Sequence, residues 1–249
     1  MGMTKRLDFD RKRSVAGRNN PNRLCRNEPR SNPCIITSMD KRELAVEVAK
    51  LLKQQHPLPK TELNHSNERE LFTAVVLSAQ TTDKKVNQIT QTLFKKYTGW
   101  GAFANADLPQ LQQDIRGVNF HLGKAERLIK AAQVIIADFG GKLPKTIADL
   151  IKIPGVARKS ANVIMQELWG IADGIVVDTH VTRVSNRLGL TTQQDAVKIE
   201  KELMELVPKE YWRNISGAMV LHGRYVCTAR KPNCGECVLN KICPSAFKI

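Results

Sequence analysis

The chain has 249 residues, 42% of them hydrophobic and 25% charged, which is ordinary globular composition and enough for one good core or two small ones. A formal net charge of +15 and a pI near 9.7 favour a polyanionic partner, nucleic acid first, although a ribosomal or merely basic protein has the same balance. No run of about twenty apolar residues exists, so a membrane span is not expected, and no apolar signal-peptide core follows the N-terminus. A reducing compartment is expected, where clustered cysteines serve as metal ligands rather than disulfides.

Residues 1–39 are rich in Arg, Asn, Ser and Pro and lack periodic apolar positions, a composition that buries too little surface to offset ordering. They are read as a basic, disordered extension. The Arg bias suits DNA contact or organelle targeting; Asp8, Asp10 and Glu28 speak against a transit peptide, Met39 is an alternative start, and an extension without function is an equal reading. Cys25 and Cys34 have no partners at ligand spacing and receive no role.

Beyond the extension the pattern is helical. Asn67 with Glu70 three residues later marks a helix start, followed by Phe72, Val75, Val76 and Ala79 at helical spacing. Val86, Ile89, Leu93 and Tyr97 form the next stripe, ended by Gly99. Asp107 caps a short helix that tolerates Pro109 in its first turn, and Leu128, Ala132, Ile135, Ile136 and Phe139 mark a longer helix stopped by Gly140 and Gly141. Ala196, Ile199, Leu203 and Leu206 make a similar stripe. Only Ile175-Val176-Val177 reads as a buried extended run, too short for a sheet. The expected fold is all-α, with about ten helices joined by short loops.

Between a short helix near 146–151 and one running to about Trp169 lies Ile153-Pro154-Gly155-Val156-Ala157-Arg158-Lys159-Ser160-Ala161-Asn162. Pro-Gly forces a tight turn, small residues at Gly155 and Ala157 let the backbone approach a ligand, and the N–H groups opening the second helix suit a phosphate. That contact holds a DNA backbone without reading sequence. An ordinary helix-helix turn has the same Pro-Gly, so the turn alone does not decide. Lys159 sits in the first turn of the second helix, where the helix dipole disfavours its ammonium and favours the nucleophilic amine. A neutral lysine amine can attack a sugar C1′ and hold it as a Schiff base; a surface lysine on phosphate is the plainer reading. Asp178 ends the buried run and opens Thr179-His180-Val181, so it can cap the next helix and also face developing positive charge or take a proton.

Near the C-terminus Cys227, Cys234, Cys237 and Cys243 form a C-x6-C-x2-C-x5-C comb, whose soft sulfurs suit zinc or an iron–sulfur cluster.

The hairpin with Lys159, the run Val177-Asp178-Thr179-His180 and the cysteine comb, in this order, resemble endonuclease III of the helix-hairpin-helix DNA glycosylase superfamily. The resemblance runs from about residue 40 to about 245 and takes in Leu77-Ser78-Ala79-Gln80-Thr81-Thr82-Asp83 and Leu221-His222-Gly223-Arg224. It implies a bifunctional glycosylase and abasic-site lyase acting on oxidised pyrimidines in double-stranded DNA, with Lys159 as nucleophile, Asp178 as catalytic carboxylate, and the four cysteines as ligands of a [4Fe–4S] cluster. It also implies two helical domains flanking a DNA-binding cleft. A six-helix domain at 61–171 holds the hairpin, and 40–60 with 172–249 forms the cluster domain, so that Lys159 and Asp178 meet from opposite sides. Chemistry on a stacked base requires flipping it out and filling the gap; Gln80 matches the family's inserted glutamine, and Phe120, in a loop that departs from the usual pattern, stands near its intercalating apolar residue. Further DNA contacts are expected at Gly155, Ala157, Arg158, His180, Arg230 and Lys231, the last two on a loop that the cluster would hold.

Ala157 stands where the hairpin often has a second glycine, so a positive φ there would be strained. His222 is expected to pack or to donate a hydrogen bond. An adenine mismatch glycosylase of the same superfamily is the near alternative. Those relatives carry a carboxylate on an early helix, here Ala74, and lack the hairpin lysine. A non-catalytic DNA-binding protein with a structural zinc site is the alternative of another class. A monomer is the default, and the bacterial cytoplasm, associated with the nucleoid, is the first compartment, with nucleus or mitochondrion if the host is eukaryotic.

Overall fold

The computed structural model describes residues 39–248. The basic extension lies outside them except for Met39, as do Cys25 and Cys34. Among the described residues there are eleven α-helices and no strand, apart from one isolated bridge between Arg116 and Val118.

One hydrophobic cluster gathers around α2 (Glu68–Ser78). Leu71 through Leu77 are all buried, so this helix is enclosed on every face and forms the axis of its region. The burial is wider than the expected stripe, and Ala79, expected to end that stripe, is instead the exposed C-cap. Asn67 caps the helix by accepting from Glu70 N at 3.0 Å, while the Glu70 carboxylate turns back to Ser66 N at 2.8 Å, one residue before the Asn67 N–H that a capping box would use. Around α2 pack α3 (Asp83–Lys96), α4 (Trp100–Ala104), α5 (Leu108–Asp114), α6 (His121–Phe139), α7 (Ile147–Leu150) and α8 (Arg158–Trp169). Val86, Ile89, Leu93 and Tyr97 are buried, and Asp107 caps α5 with Pro109 in its first turn. In α6 the buried stripe is Leu128, Ala131, Ala132 and Ile135; Ile136 is 42% exposed, because Ala131 rather than Ile136 completes the face.

A second cluster joins α1 (Lys41–Gln55) to α9 (Thr179–Arg187), α10 (Ala196–Leu206) and α11 (Trp212–Tyr225), with Leu239 and Ile242 from the C-terminal segment. A full capping box of Asp40 and Glu43 starts α1. At Gly223 the helices α9 and α11 nearly touch: a Cβ there would lie 2.8 Å from His180 Cβ. The run Ile175-Val176-Val177 is buried and extended with no strand beside it. Its polar backbone is satisfied by side chains, Val176 N donating to Ser216 Oγ at 3.0 Å, and Gly174 O just before it accepting from Gln166 Nε2 at 3.0 Å. The run therefore links α8 to α11 and ends at Asp178.

Candidate active site

The hairpin rests on apolar contacts. Ile153 and Val156 are buried, Val156 N closes a turn on Ile153 O at 3.1 Å, and Gly155 between them adopts φ +90°, a conformation that favours glycine. Ala157 is the N-cap of α8 with φ −97° and ψ 168°, ordinary extended backbone, so alanine in place of a second glycine introduces no strain. It also has no side chain with which to cap. The N–H groups opening α8 are left for an anion.

Lys159 is the second residue of α8 and is exposed to solvent. It lines a cavity of about 400 Å³ together with Asp178, Gln80, Asp83, Glu167 and Arg224. Asp178 caps α9 with one carboxylate oxygen, Oδ1, which accepts from His180 N at 2.8 Å and Val181 N at 2.9 Å. The cap uses that oxygen alone, so capping and a role in the cavity coexist. Two other carboxylates of the cavity are engaged with Arg224, which pairs with Glu62 and, at 2.9 Å, with Asp83; these partners raise the pKa of Arg224 against the opposing effect of burial. Glu167 accepts from Thr61 N at 2.8 Å, and burial raises its pKa.

The remaining expected contacts divide. Gln80 lines the cavity and also a neighbouring open groove of about 580 Å³ shared with Phe120, which is 65% exposed and N-caps α6. Arg158 and His180 do not line the cavity. Arg158 pairs with Glu200 at 3.4 Å and Asp173 at 4.0 Å, and His180 Nδ1 lies 3.3 Å from Arg183 Nη2. Lys124 carries no distinguishing motif, yet it is only 2% exposed and its Nζ donates to Leu77 O and Ala79 O beside Gln80. Burial, with the nearby Arg127 charge, lowers its pKa to about 8. Its position one turn before the buried Leu128, on the apolar face of α6, is the signal that it points inward.

Cys227, Cys234, Cys237 and Cys243 line one cavity of about 20 Å³ just beyond α11. Burial, with the charge of the neighbouring cysteines, pushes the Cys237 thiol up to about 11 and raises that of Cys243, so four thiolates here need a cationic centre among them. Among the described residues no three His, Cys, Asp or Glu side chains are placed to hold a single ion. Four soft sulfur donors converging on one site are the ligand set that a [4Fe–4S] cluster takes. Two arginines of α9 fix the loop that follows Cys227. Arg187 donates to Thr228 O at 2.7 Å, Ala229 O at 2.8 Å and Cys227 Sγ at 3.2 Å, and Arg183 donates to Gly223 O at 2.6 Å and Cys227 O at 3.1 Å. Arg230 and Lys231 stand exposed on that loop. His222 is buried, with Nε2 at 3.5 Å from Cys237 Sγ.

Residues 73–209 match the HhH-GPD superfamily base excision DNA repair protein, and residues 227–243 match the iron–sulfur binding domain of endonuclease III. The chain is 42% identical to endonuclease III of Synechocystis sp. over 83% of its own length and 94% of the relative's, and 45% identical to that of Bacillus subtilis over 77% and 88%. Its fold superposes with a TM-score of 0.77 and 38% identity on endonuclease III in a non-covalent DNA complex, and equally on endonuclease III in a trapped covalent intermediate with DNA; each covers 84% of this chain and 98% of the other. The chain belongs to the endonuclease III family of base excision repair proteins, as a DNA glycosylase and abasic-site lyase that binds DNA and carries a [4Fe–4S] cluster.

Proposed function

We propose that the chain removes oxidised pyrimidines from double-stranded DNA and nicks the resulting abasic site through a Schiff base on Lys159. The observation that carries the reading is that Lys159 and Asp178, on the opening turns of two different helices, line one cavity large enough for a flipped base. The Lys159 nitrogen bonds to C1′ as the C1′–base bond breaks, the bonding pair leaving with the base. The amine gives up its two protons, one to the departing base and one to O4′ as the C1′–O4′ bond opens, which yields the Schiff base. Loss of a C2′ proton then expels the 3′ phosphate, and water releases the lysine. Asp178 takes a proton in this sequence and stabilises positive charge on the sugar through the oxygen that the cap does not use.

Gln80 and Phe120 fill the space vacated by the base, and the free N–H groups of α8 hold phosphate beside Gly155 and Ala157. Arg158, His180, Arg230 and Lys231 supply the flanking contacts. Cys227, Cys234, Cys237 and Cys243 hold the cluster, whose part is to fix the loop of Arg230 and Lys231. Residues 61–171 form the hairpin domain, and 40–60 with 172–249 the cluster domain. The adenine-mismatch alternative wants a carboxylate on the early helix; Ala74 of α2 offers none and is fully buried. The protein acts as a monomer in a bacterial cytoplasm, a reading supported by the bacterial source of its relatives; no described helix is long and apolar enough to cross a membrane.

Borohydride reduction during incubation with duplex DNA containing an oxidised pyrimidine or an abasic site tests the reading. A covalent complex is expected with the native chain and none with Lys159→Ala. Equal trapping by Lys159→Ala would assign the nucleophile elsewhere.

A further inference from the structure

Gln80 and Phe120 both hold left-handed backbone, with φ of 56° and 58°, which is uncommon for residues other than glycine. Such conformations persist only where the surroundings over-determine them. Here the surroundings are one bracket. Lys124 Nζ donates to Leu77 O at 2.7 Å and Ala79 O at 2.6 Å and lies 3.4 Å from Thr81 Oγ1, so three acceptors on the chain flanking Gln80 face the three N–H bonds of one ammonium. From the same loop, Asn119 N donates to Thr81 Oγ1 at 3.1 Å and Asn119 Nδ2 donates to Gln80 O. Phe120 sits between these two bracket residues, and its carbonyl accepts from Lys124 N at 3.0 Å.

Fully buried lysine is rare and unfavourable unless paired with charge. No carboxylate is among the hydrogen-bond partners of Lys124, and the charge that acts on it is the like charge of Arg127. Helix α2 could have its last carbonyls satisfied by water or by a glycine cap. What the buried ammonium adds is a rigid link between the C-terminus of α2 and the N-terminus of α6, the two places from which Gln80 and Phe120 project into the same groove.

We propose that Lys124, with Asn119, is a positioning residue of base flipping: it locks Gln80 and Phe120 into one two-pronged probe that enters the duplex as a unit. The proposal rests on the reading that those two side chains enter the DNA. Its mechanical content is that flipping a paired base requires both prongs held in fixed register, whereas chemistry on a base already loosened from its pair does not.

The test compares single-turnover base release from an oxidised pyrimidine opposite its normal purine with release from the same lesion in a mismatch, where flipping is easiest. The paired-to-mismatched ratio is expected to fall about tenfold in Lys124→Met and about threefold in Asn119→Ala, in line with the hydrogen bonds each removes. Adding Lys124→Met to a Gln80→Ala/Phe120→Ala double variant is expected to change the ratio no further, because the prongs it positions are gone. If Gln80→Ala and Phe120→Ala lower the ratio but Lys124→Met and Asn119→Ala do not, or slow both substrates equally, the bracket is merely structural and the proposal fails while the reading beneath it stands. If Gln80→Ala and Phe120→Ala leave the ratio at the native value, both fall. Should Lys124→Met not fold, as judged by its far-ultraviolet circular dichroism, the exposed Asn119→Ala decides alone.

Discussion

The hairpin at 153–158 and the cysteine segment at 227–243 are both short and largely irregular, yet they are fixed by opposite means. The hairpin stands on a finished core: Ile153 and Val156 are buried in the larger hydrophobic cluster, and one glycine supplies the turn. The cysteine segment buries just Leu239 and Ile242 in the other cluster, with Cys227, Cys237 and Cys243 packed against it, and otherwise depends on arginine–carbonyl bonds and on four thiols that repel one another as anions. The hairpin is thus built by the protein alone. The segment that presents Arg230 and Lys231 is completed by its cofactor.

Breaking each region should therefore have different consequences. The largest effect is expected from Cys237→Ser, which removes one thiolate of the cluster site. Because metal binding energy is folding energy in such sites, visible absorbance should be lost and DNA affinity should fall at least about tenfold through the disordered basic loop, while far-ultraviolet circular dichroism keeps most of its helical signal. A collapse of the whole helical spectrum would show that the hairpin region is not independent of the cluster.

Next is Asp178→Asn, which separates two roles of one side chain. Asparagine caps a helix about as well as aspartate, so thermal stability should change by less than about 1 kcal/mol. The lost carboxylate should slow base release about a hundredfold. Equal losses in stability and rate would reduce Asp178 to a cap.

Arg187→Ala probes the cysteine region without touching a thiol. It removes charge-assisted bonds to Thr228 O, Ala229 O and Cys227 Sγ, and about 2 kcal/mol of stability should go with them. Denaturant unfolding monitored through cluster absorbance measures it. The Lys159 region should keep its borohydride trapping on an abasic duplex once the protein is saturated with DNA.

The same contrast explains what could be read from the chain. Caps at Asn67, Asp107 and Asp178 act within three residues of themselves, and Pro154-Gly155 turns the backbone where it stands, so local sequence announces them. The cysteine spacing is equally local. Lys124 is different: its acceptors lie 43 to 47 residues away, and nothing beside it in sequence distinguishes it from a surface lysine except the apolar face it shares. Arg187 finds its carbonyls 40 to 42 residues on, and Arg224 meets Glu62 across 162. The burial of α2 on all sides follows from the six helices around it and not from its own period. Ile136 fell on the wrong side because the two-alanine face of α6 carries a weaker apolar signal than the isoleucine it displaces.

Gly155→Ala is the smallest expected effect and the sharpest test of the hairpin. A Cβ at Gly155 would sit 3.5 Å from Arg127 Cβ and from Val76 Cγ1, ordinary van der Waals distance, so no clash pushes the turn apart. The φ of +90° remains, and an L-residue adopts it only at a cost of about 1–2 kcal/mol. Stability should therefore fall by that amount while the core, including Ile153 and Val156, stays packed. The strained turn leads directly into the opening N–H groups of α8, so affinity for undamaged duplex should drop as well, about fivefold, with the salt dependence of binding unchanged because no charge is lost. If affinity holds at the native value while stability falls, the glycine serves the turn alone, and the phosphate is held by the side chains around it.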